Sequence, residues 1–222
     1  MQNLLDFLDK YGQEYNTKDS SLFFYSLTKL KKFNYFLELG TGLGCTSFAV
    51  ATAMKENKKG LCISFDNGIH QFSEYESFIE NQSKNLNIQK HFKFNLEDIN
   101  FNNFNFNFKL DCIFSDFDRR ETSIDNLINW SLSNVMCFSS IFIDGVAEHN
   151  SSYFYLKLLI DSFNNQKIPN NYLNHKNFIE THTFNLITIR KDDSLNVGQS
   201  NMCWIKIEPN NVYFKKIKQW KC

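Results

Sequence analysis

The sequence carries no excess of charge: 24 lysines and arginines stand against 24 aspartates and glutamates over 222 positions. This balance removes the general electrostatic attraction that nucleic-acid or membrane partners require. The basic tail, Lys215, Lys216, Lys218 and Lys221, is local and reads as a solvated terminus. No apolar run approaches the length of a membrane span. The first ten residues place Asp6 and Asp9 where a secretory signal would need an apolar core. Both features predict a cytoplasmic protein with no membrane partner. The six cysteines (Cys45, Cys62, Cys112, Cys137, Cys203 and Cys222) lack metal-site spacing, and most lie inside apolar segments. They are expected to be buried thiols of a reducing compartment. Cys222 is terminal but forms no prenylation box. No repeat or linker divides the chain, so one domain over residues 1–222 is expected, long enough to bury a core.

The most informative segment is Phe36-Leu-Glu-Leu-Gly-Thr-Gly-Leu-Gly-Cys-Thr-Ser47. An apolar stretch, three alternate glycines and an alanine-rich stretch read as strand, tight turn and helix. Gly40, Gly42 and Gly44 let the chain turn sharply and let a ligand approach the backbone. The order is Gly-x-Gly-x-Gly, one residue short of the dinucleotide pattern, whose helix N-terminus faces a pyrophosphate. Glu38, two residues before the first glycine, would repel a pyrophosphate and suit a cationic ligand.

Apolar patterning predicts further strands at 61–66, 91–95, 110–116, 140–144 and 183–190, besides the first at 35–39. Helices are expected at 46–58, 71–85, 123–136 and 153–163. Two apolar stripes, Leu4, Leu5, Phe7 and Leu8, then Leu22, Phe23, Tyr25, Leu27 and Leu30, predict an N-terminal helical cap over 1–33 that covers one end of the sheet and lids the ligand. The core spans 34–190. In 191–222, Cys203–Ile207 and Val212–Lys215 are expected to form an antiparallel pair through Pro209-Asn-Asn211, and that pair could serve as a homodimer edge. The run of alternating Phe and Asn over 101–108 reads as a connector whose phenylalanines cover core edges, or as a short edge strand. Strands alternating with helices predict an α/β, Rossmann-like, mostly parallel sheet of about seven strands, with helices on both faces and an antiparallel C-terminal strand pair.

An acid closes or follows each of the first five strands: Glu38, Asp66, Asp98, Asp116 and Asp144. In an open α/β sheet this is the ligand edge. Asp66 is placed for ribose hydroxyls, and Asp98, with Glu97 competing, follows the third strand at the same edge. Asp116 and Asp144 end adjacent strands, and two close carboxylates need a proton or a cation between them. Mg²⁺ is one solution. His149, just past the fifth strand, has the imidazole chemistry of a general base near neutral pH.

The glycine run resembles motif I of class I S-adenosylmethionine-dependent methyltransferases. The 28-residue interval from Asp116 to Asp144 resembles the catechol O-methyltransferase-like branch. The resemblance implies cofactor contacts from Glu38, Gly40, Thr41, Gly42, Gly44, Ser47, Asp66, Asn67, Asp98 and Asp116, and a metal held by Asp116 and Asp144. Asp116, Asp144 and, from its own imidazole chemistry, His149 are the expected catalytic residues, which would orient or deprotonate an acceptor hydroxyl. Two departures stand out. The branch's metal-binding asparagine falls on Gly145, for which Asp118 or water would have to substitute, or else no metal binds. The stretch of its catalytic lysine holds Arg119 and Arg120, and arginine is effectively never a base.

The implied activity is O-methylation of a small-molecule hydroxyl, on a metabolite, sugar or natural product, under a closing loop at 164–178. Phe117, Tyr153, Phe154 and Tyr155 either line an aromatic acceptor pocket or belong to the core. Two other readings remain at this point: an aminopropyltransferase-like enzyme, and a catalytically degenerate cofactor-binding protein. A nicotinamide oxidoreductase is disfavoured by the early third glycine.

Overall fold

The computed structural model describes residues 1–12, 17–102, 104–190 and 201–210. Helices α1 (Gln2–Tyr11) and α2 (Thr17–Lys31) precede β1 (Tyr35–Leu39). Then follow α3 (Cys45–Asn57), β2 (Leu61–Asp66), α4 (Tyr75–Asn85), β3 (Phe92–Leu96), β4 (Leu110–Ser115) and α5 (Glu121–Asn134). The chain continues through β5 (Val135–Asp144), α6 (Asn150–Asn164), α7 (Lys176–Thr181), β6 (His182–Arg190) and β7 (Asn201–Pro209). The strands form one seven-stranded sheet in the order β3-β2-β1-β4-β5-β7-β6. Pairing is parallel from β3 through β5, while β7 runs antiparallel to both β5 and β6. The order reverses beside β1, so the crevice outside the carboxyl ends of β1 and β4 is the topological switch point.

The alternation of side chains along each strand sorts the two faces. Phe36, Cys62, Cys112, Phe114 and Phe142 point to the face covered by α1, α2 and α3. Leu37, Leu39, Ile63, Ile113, Ile141 and Ile143 point to the face covered by α5 and α6. One core layer is therefore rich in aromatic side chains, while the strands face the other mainly with aliphatic ones. Phe24 of α2 is fully buried in the aromatic layer, with ring centroids 5.6, 4.7 and 4.9 Å from Phe36, Phe114 and Phe142. This corrects the expected end cap: α2 lies on the sheet face beside α3. Helix α3 is buried from Cys45 through Met54 because it is enclosed on both sides.

The connector at 101–108 carries no strand among its described residues. Phe104, Phe106 and Phe108 turn inward while Asn105 and Asn107 face solvent. Phe104 stacks near Trp130, whose indole N–H donates to the Phe104 carbonyl at 2.5 Å.

Other expectations need correction. Strand β5 begins at Val135, five residues earlier than its apolar run suggested, because α5 ends at Asn134 and the chain passes straight into the sheet. Helix α4 begins at Tyr75 rather than near residue 71. The C-terminal antiparallel pair is β6 with β7. The expected partner segment 212–215 lies outside the described residues, as does the basic tail, and β7 already has a neighbour on each side. Among the described residues the outer strands of the sheet are β3 and β6. The loop expected to close over the ligand is instead packed at the opposite edge. Tyr172 is fully buried there and donates to Asp125 Oδ1 at 2.7 Å, and the segment leads into the amino end of β6. Cys45, Cys62, Cys112 and Cys203 are buried free thiols. Cys137 is disulfide-bonded, against expectation. Among the described residues no helix is long and apolar enough to cross a membrane.

The aromatic layer makes a direct prediction. Phe24→Ala removes a fully enclosed ring and leaves a cavity, so urea unfolding should show a loss of about 3–5 kcal/mol. A loss under about 1 kcal/mol would mean that α2 does not pack on the sheet.

Candidate cofactor and acceptor site

The site begins at the end of β1. Gly40 and Gly44 adopt positive φ angles of +91° and +83°, and each is forced to be small. A Cβ on Gly40 would lie 2.3 Å from the Asp116 carbonyl oxygen, and one on Gly44 would meet the Phe48 ring at 2.8 Å. Gly42 differs. It also has positive φ, +51°, but nothing lies within 4 Å of where its Cβ would be. Its neighbours close the chain turn, whereas Gly42 borders open space at the ligand edge.

Beneath the turn lies Glu38, 1% exposed. The register pairs Glu38 with Ser64 across β1 and β2, and the pleat puts Ser64 and Asp66 on the same face. Ser64 donates its hydroxyl to Glu38 Oε2 at 2.7 Å, and Ser47 of α3 donates to the same oxygen. Ser64 has then spent its one hydrogen, so in the 2.6 Å contact between the Thr41 and Ser64 hydroxyls Thr41 is the donor. Burial pushes the Glu38 carboxyl up from 4.5 to about 8, against the opposing hydrogen bonds from Ser47 and Ser64, and the charges of Asp116 and Asp66 add to the rise.

Asp66 pins the turn from the side. Its Oδ2 accepts the Gly42 N–H at 3.0 Å and its Oδ1 the Gly68 N–H at 2.8 Å. Each oxygen keeps a further lone pair for a ligand hydroxyl. The Tyr75 hydroxyl donates to the Gly42 carbonyl at 2.7 Å. Asn67 donates to Asp98 Oδ1 at 2.9 Å, which brings these two expected contacts together at the exposed rim. Glu97 is also exposed. The structure thus gathers Glu38, Gly40, Thr41, Gly42, Gly44, Ser47 and Asp66 around one turn. Ser47 is fully buried and serves Glu38 instead of facing the open side.

The second half of the site lies across the switch point. Ser115 pairs with Ile143 in register, so the next residues, Asp116 and Asp144, are neighbours. The Arg119 guanidinium sits between them, with Nη2 2.9 Å from Asp116 Oδ1 and 3.8 Å from Asp144 Oδ2. Asp144 is 1% exposed. Asp118, the expected substitute ligand, is held by Arg120 and by Ser123 Oγ, 2.6 Å away. The Arg120 hydrogen bonds hold the Asp118 carboxyl well below the usual carboxylate range. The residues therefore do not fit the expected divalent ion. A guanidinium stands between the paired acids, Gly145 offers no donor side chain, and no group of three or more His, Cys, Asp or Glu among the described residues is placed to hold a metal.

Beside this pair a cleft of about 590 Å³ opens between the segments that follow β4 and β5. Phe117, Arg119 and Thr122 form one wall, and His149, Ser151 and Ser152 the other. His149 is exposed. Tyr153, Phe154 and Tyr155 do not line the cleft. Tyr153 and Tyr155 pack against the aliphatic core, and the Phe154 ring is exposed. Ser64, Tyr75 and Arg119 were not foreseen as parts of the site. A serine two residues before the acid in an otherwise apolar strand was the one available signal for Ser64.

No protein-family model and no curated protein matches the chain. Solved structures do. A methyltransferase from Geobacter sulfurreducens superposes with TM-score 0.60 at 11% identity, covering 92% of this chain and 88% of that one. An O-methyltransferase from Bacillus cereus in complex with SAH gives 0.58 at 12% identity, covering 94% and 91%. An rRNA methylase from Streptococcus thermophilus gives 0.50 at 11% identity, covering 79% and 86%. The chain has the Rossmann-like methyltransferase fold. Within that methyltransferase fold, the glycine turn and the cleft occupy adjoining parts of the ligand edge.

The raised Glu38 carboxyl makes stability depend on pH. Its folded value of about 8 exceeds the unfolded 4.5, so the folded chain holds the extra proton between them. The stability this supplies is complete below about pH 4.5 and is lost as pH rises through about 8. Glu38→Gln removes the titration, so its unfolding free energy should fall less than that of wild type between about pH 5 and pH 9. Parallel profiles would show that Glu38 does not titrate in this range.

Proposed function

We propose that the protein transfers a methyl group from S-adenosylmethionine to the hydroxyl of a small-molecule acceptor, a metabolite, sugar or natural product. The observation that carries this reading is the open side of Gly42, set over a buried acid and flanked by Asp66, next to a separate cleft. These residues suit the cofactor. Glu38 provides negative charge for a cationic amino-acid end, Asp66 has lone pairs for ribose hydroxyls, and Asn67 with Asp98 offers a polar rim for the adenine edge. When bound, the cofactor supplies a methyl carbon that its positively charged sulfur makes electrophilic.

The protein's own task is then to align the acceptor and take its proton. His149, exposed at the cleft, is the group suited to accept that proton. Asp116 and Asp144, tied to Arg119, orient the cleft wall. The volume of the cleft falls in the range of small-molecule sites. The balanced charge supports a small acceptor over RNA, although an rRNA methylase shares the fold.

Calorimetric titration with S-adenosylhomocysteine tests the reading. Wild type should bind saturably with micromolar Kd, and Asp66→Ala, checked for folding by circular dichroism, should bind about tenfold or more weakly. No saturable binding by folded wild type would end the methyltransferase reading. With any acceptor that supports turnover, His149→Ala should lower kcat by about a hundredfold or more while leaving homocysteine-product affinity unchanged. Unchanged kcat would remove His149 as the base.

A further inference from the structure

Asp116 and Asp144 end neighbouring strands in register, and two carboxylates so placed repel unless a proton or a positive charge compensates them. A divalent ion does this with several oxygen ligands. Here the compensation comes from within the chain. Arg119 Nη2 donates to Asp116 Oδ1 at 2.9 Å and approaches Asp144 Oδ2 at 3.8 Å, while Nε donates to the Asp144 backbone carbonyl at 3.0 Å. The guanidinium thus holds the ends of β4 and β5 by side-chain and main-chain contacts at once.

Gly145 makes this geometry available. Its φ is +66°, and a Cβ built there would lie 2.3 Å from Arg119 Nε and 3.0 Å from Cζ. Any larger residue would push the guanidinium out. The position that lacks a metal-binding side chain is therefore also the position whose emptiness admits the arginine, and one glycine accounts for both. Asp118, the expected substitute ligand, is committed to Arg120 and Ser123. Arginine stays charged across the physiological range, so the compensation needs neither metal supply nor a particular pH.

We propose that Arg119 takes the place of a divalent cation, as a built-in counterion that clamps Asp116 to Asp144 and positions the cleft wall. The chain is then independent of divalent metal, and Arg119 is a positioning residue. The proposal rests on the methyltransferase reading only where it calls the cleft the acceptor's.

Mn²⁺ titration followed by electron paramagnetic resonance, with thermal unfolding in Mg²⁺ or EDTA, tests it. Wild type should bind no stoichiometric Mn²⁺, and its Tm should not move with either additive. Arg119→Ala removes the guanidinium between the two acids, so it should unfold several degrees lower, gain about one Mn²⁺ per chain and recover Tm in Mg²⁺. Arg119→Lys, which keeps the charge, should bind none. One Mn²⁺ on wild type that is lost in Asp116→Asn would overturn the proposal. So would an Arg119→Ala variant as stable as wild type and indifferent to Mg²⁺. If Arg119→Ala does not fold, Arg119→Ala/Asp144→Asn removes the charge that required the arginine and should fold; continued failure would overturn the clamp. None of these readouts uses the cofactor, so they and the homocysteine-product titration fail independently.

Discussion

A carboxyl group buried under a glycine turn organises the ligand edge of this protein. Glu38 lies near the end of β1, beside the switch point, where it is 1% exposed and receives hydrogen bonds from Ser47 and Ser64. An ionised carboxylate in that position would be costly without compensating partners. Its two hydroxyl donors soften the cost but do not remove it, and the carboxyl rises to about 8. A cationic ligand over the turn would supply the missing compensation. The same network fixes the turn, since Ser64 links Glu38 to Thr41 and Asp66 accepts the Gly42 amide. A change at Glu38 is therefore felt by the strand, the turn and the first turn of α3 together.

The two halves of the site treat negative charge in different ways. On the glycine side, Glu38 keeps its proton in the ligand-free chain, and Asp66 is satisfied by backbone amides. On the cleft side, Asp116 and Asp144 are held by a guanidinium that Gly145 admits. The first arrangement leaves charge to be completed by something that arrives. The second is already complete within the chain. A mobile cationic cofactor on one side and a shaped acceptor wall on the other accord with that difference.

Much of this was legible in the sequence, for definite reasons. Parallel strands buried on both faces read as unbroken apolar runs, and an acid at the end of each run marks the ligand edge. The interval from Asp116 to Asp144 anticipated neighbours because one crossover connects the two strands. What the sequence hid depended on tertiary pairing. Nothing local announces that β7 lies between β5 and β6, or that Tyr172 is buried against α5. The strand character of Val135–Ser139 was masked by the helix that ends directly before it. Arg119 looked like a failed lysine, and Gly145 like a missing ligand, until their contact showed that each explains the other. Glu38 was anticipated as an acid near the ligand, but not its burial, which needed Ser47 and Ser64 in place.

The most direct measurement is the number of protons exchanged when S-adenosylmethionine binds, obtained by calorimetry at about pH 7 in buffers of different ionisation enthalpy. If the cofactor lies over the turn, its positive charge draws the Glu38 proton off. Wild type should then release most of one proton per chain, and Glu38→Gln almost none. Saturable binding whose heat does not depend on the buffer would contradict the account, because the cofactor would then sit away from the buried acid.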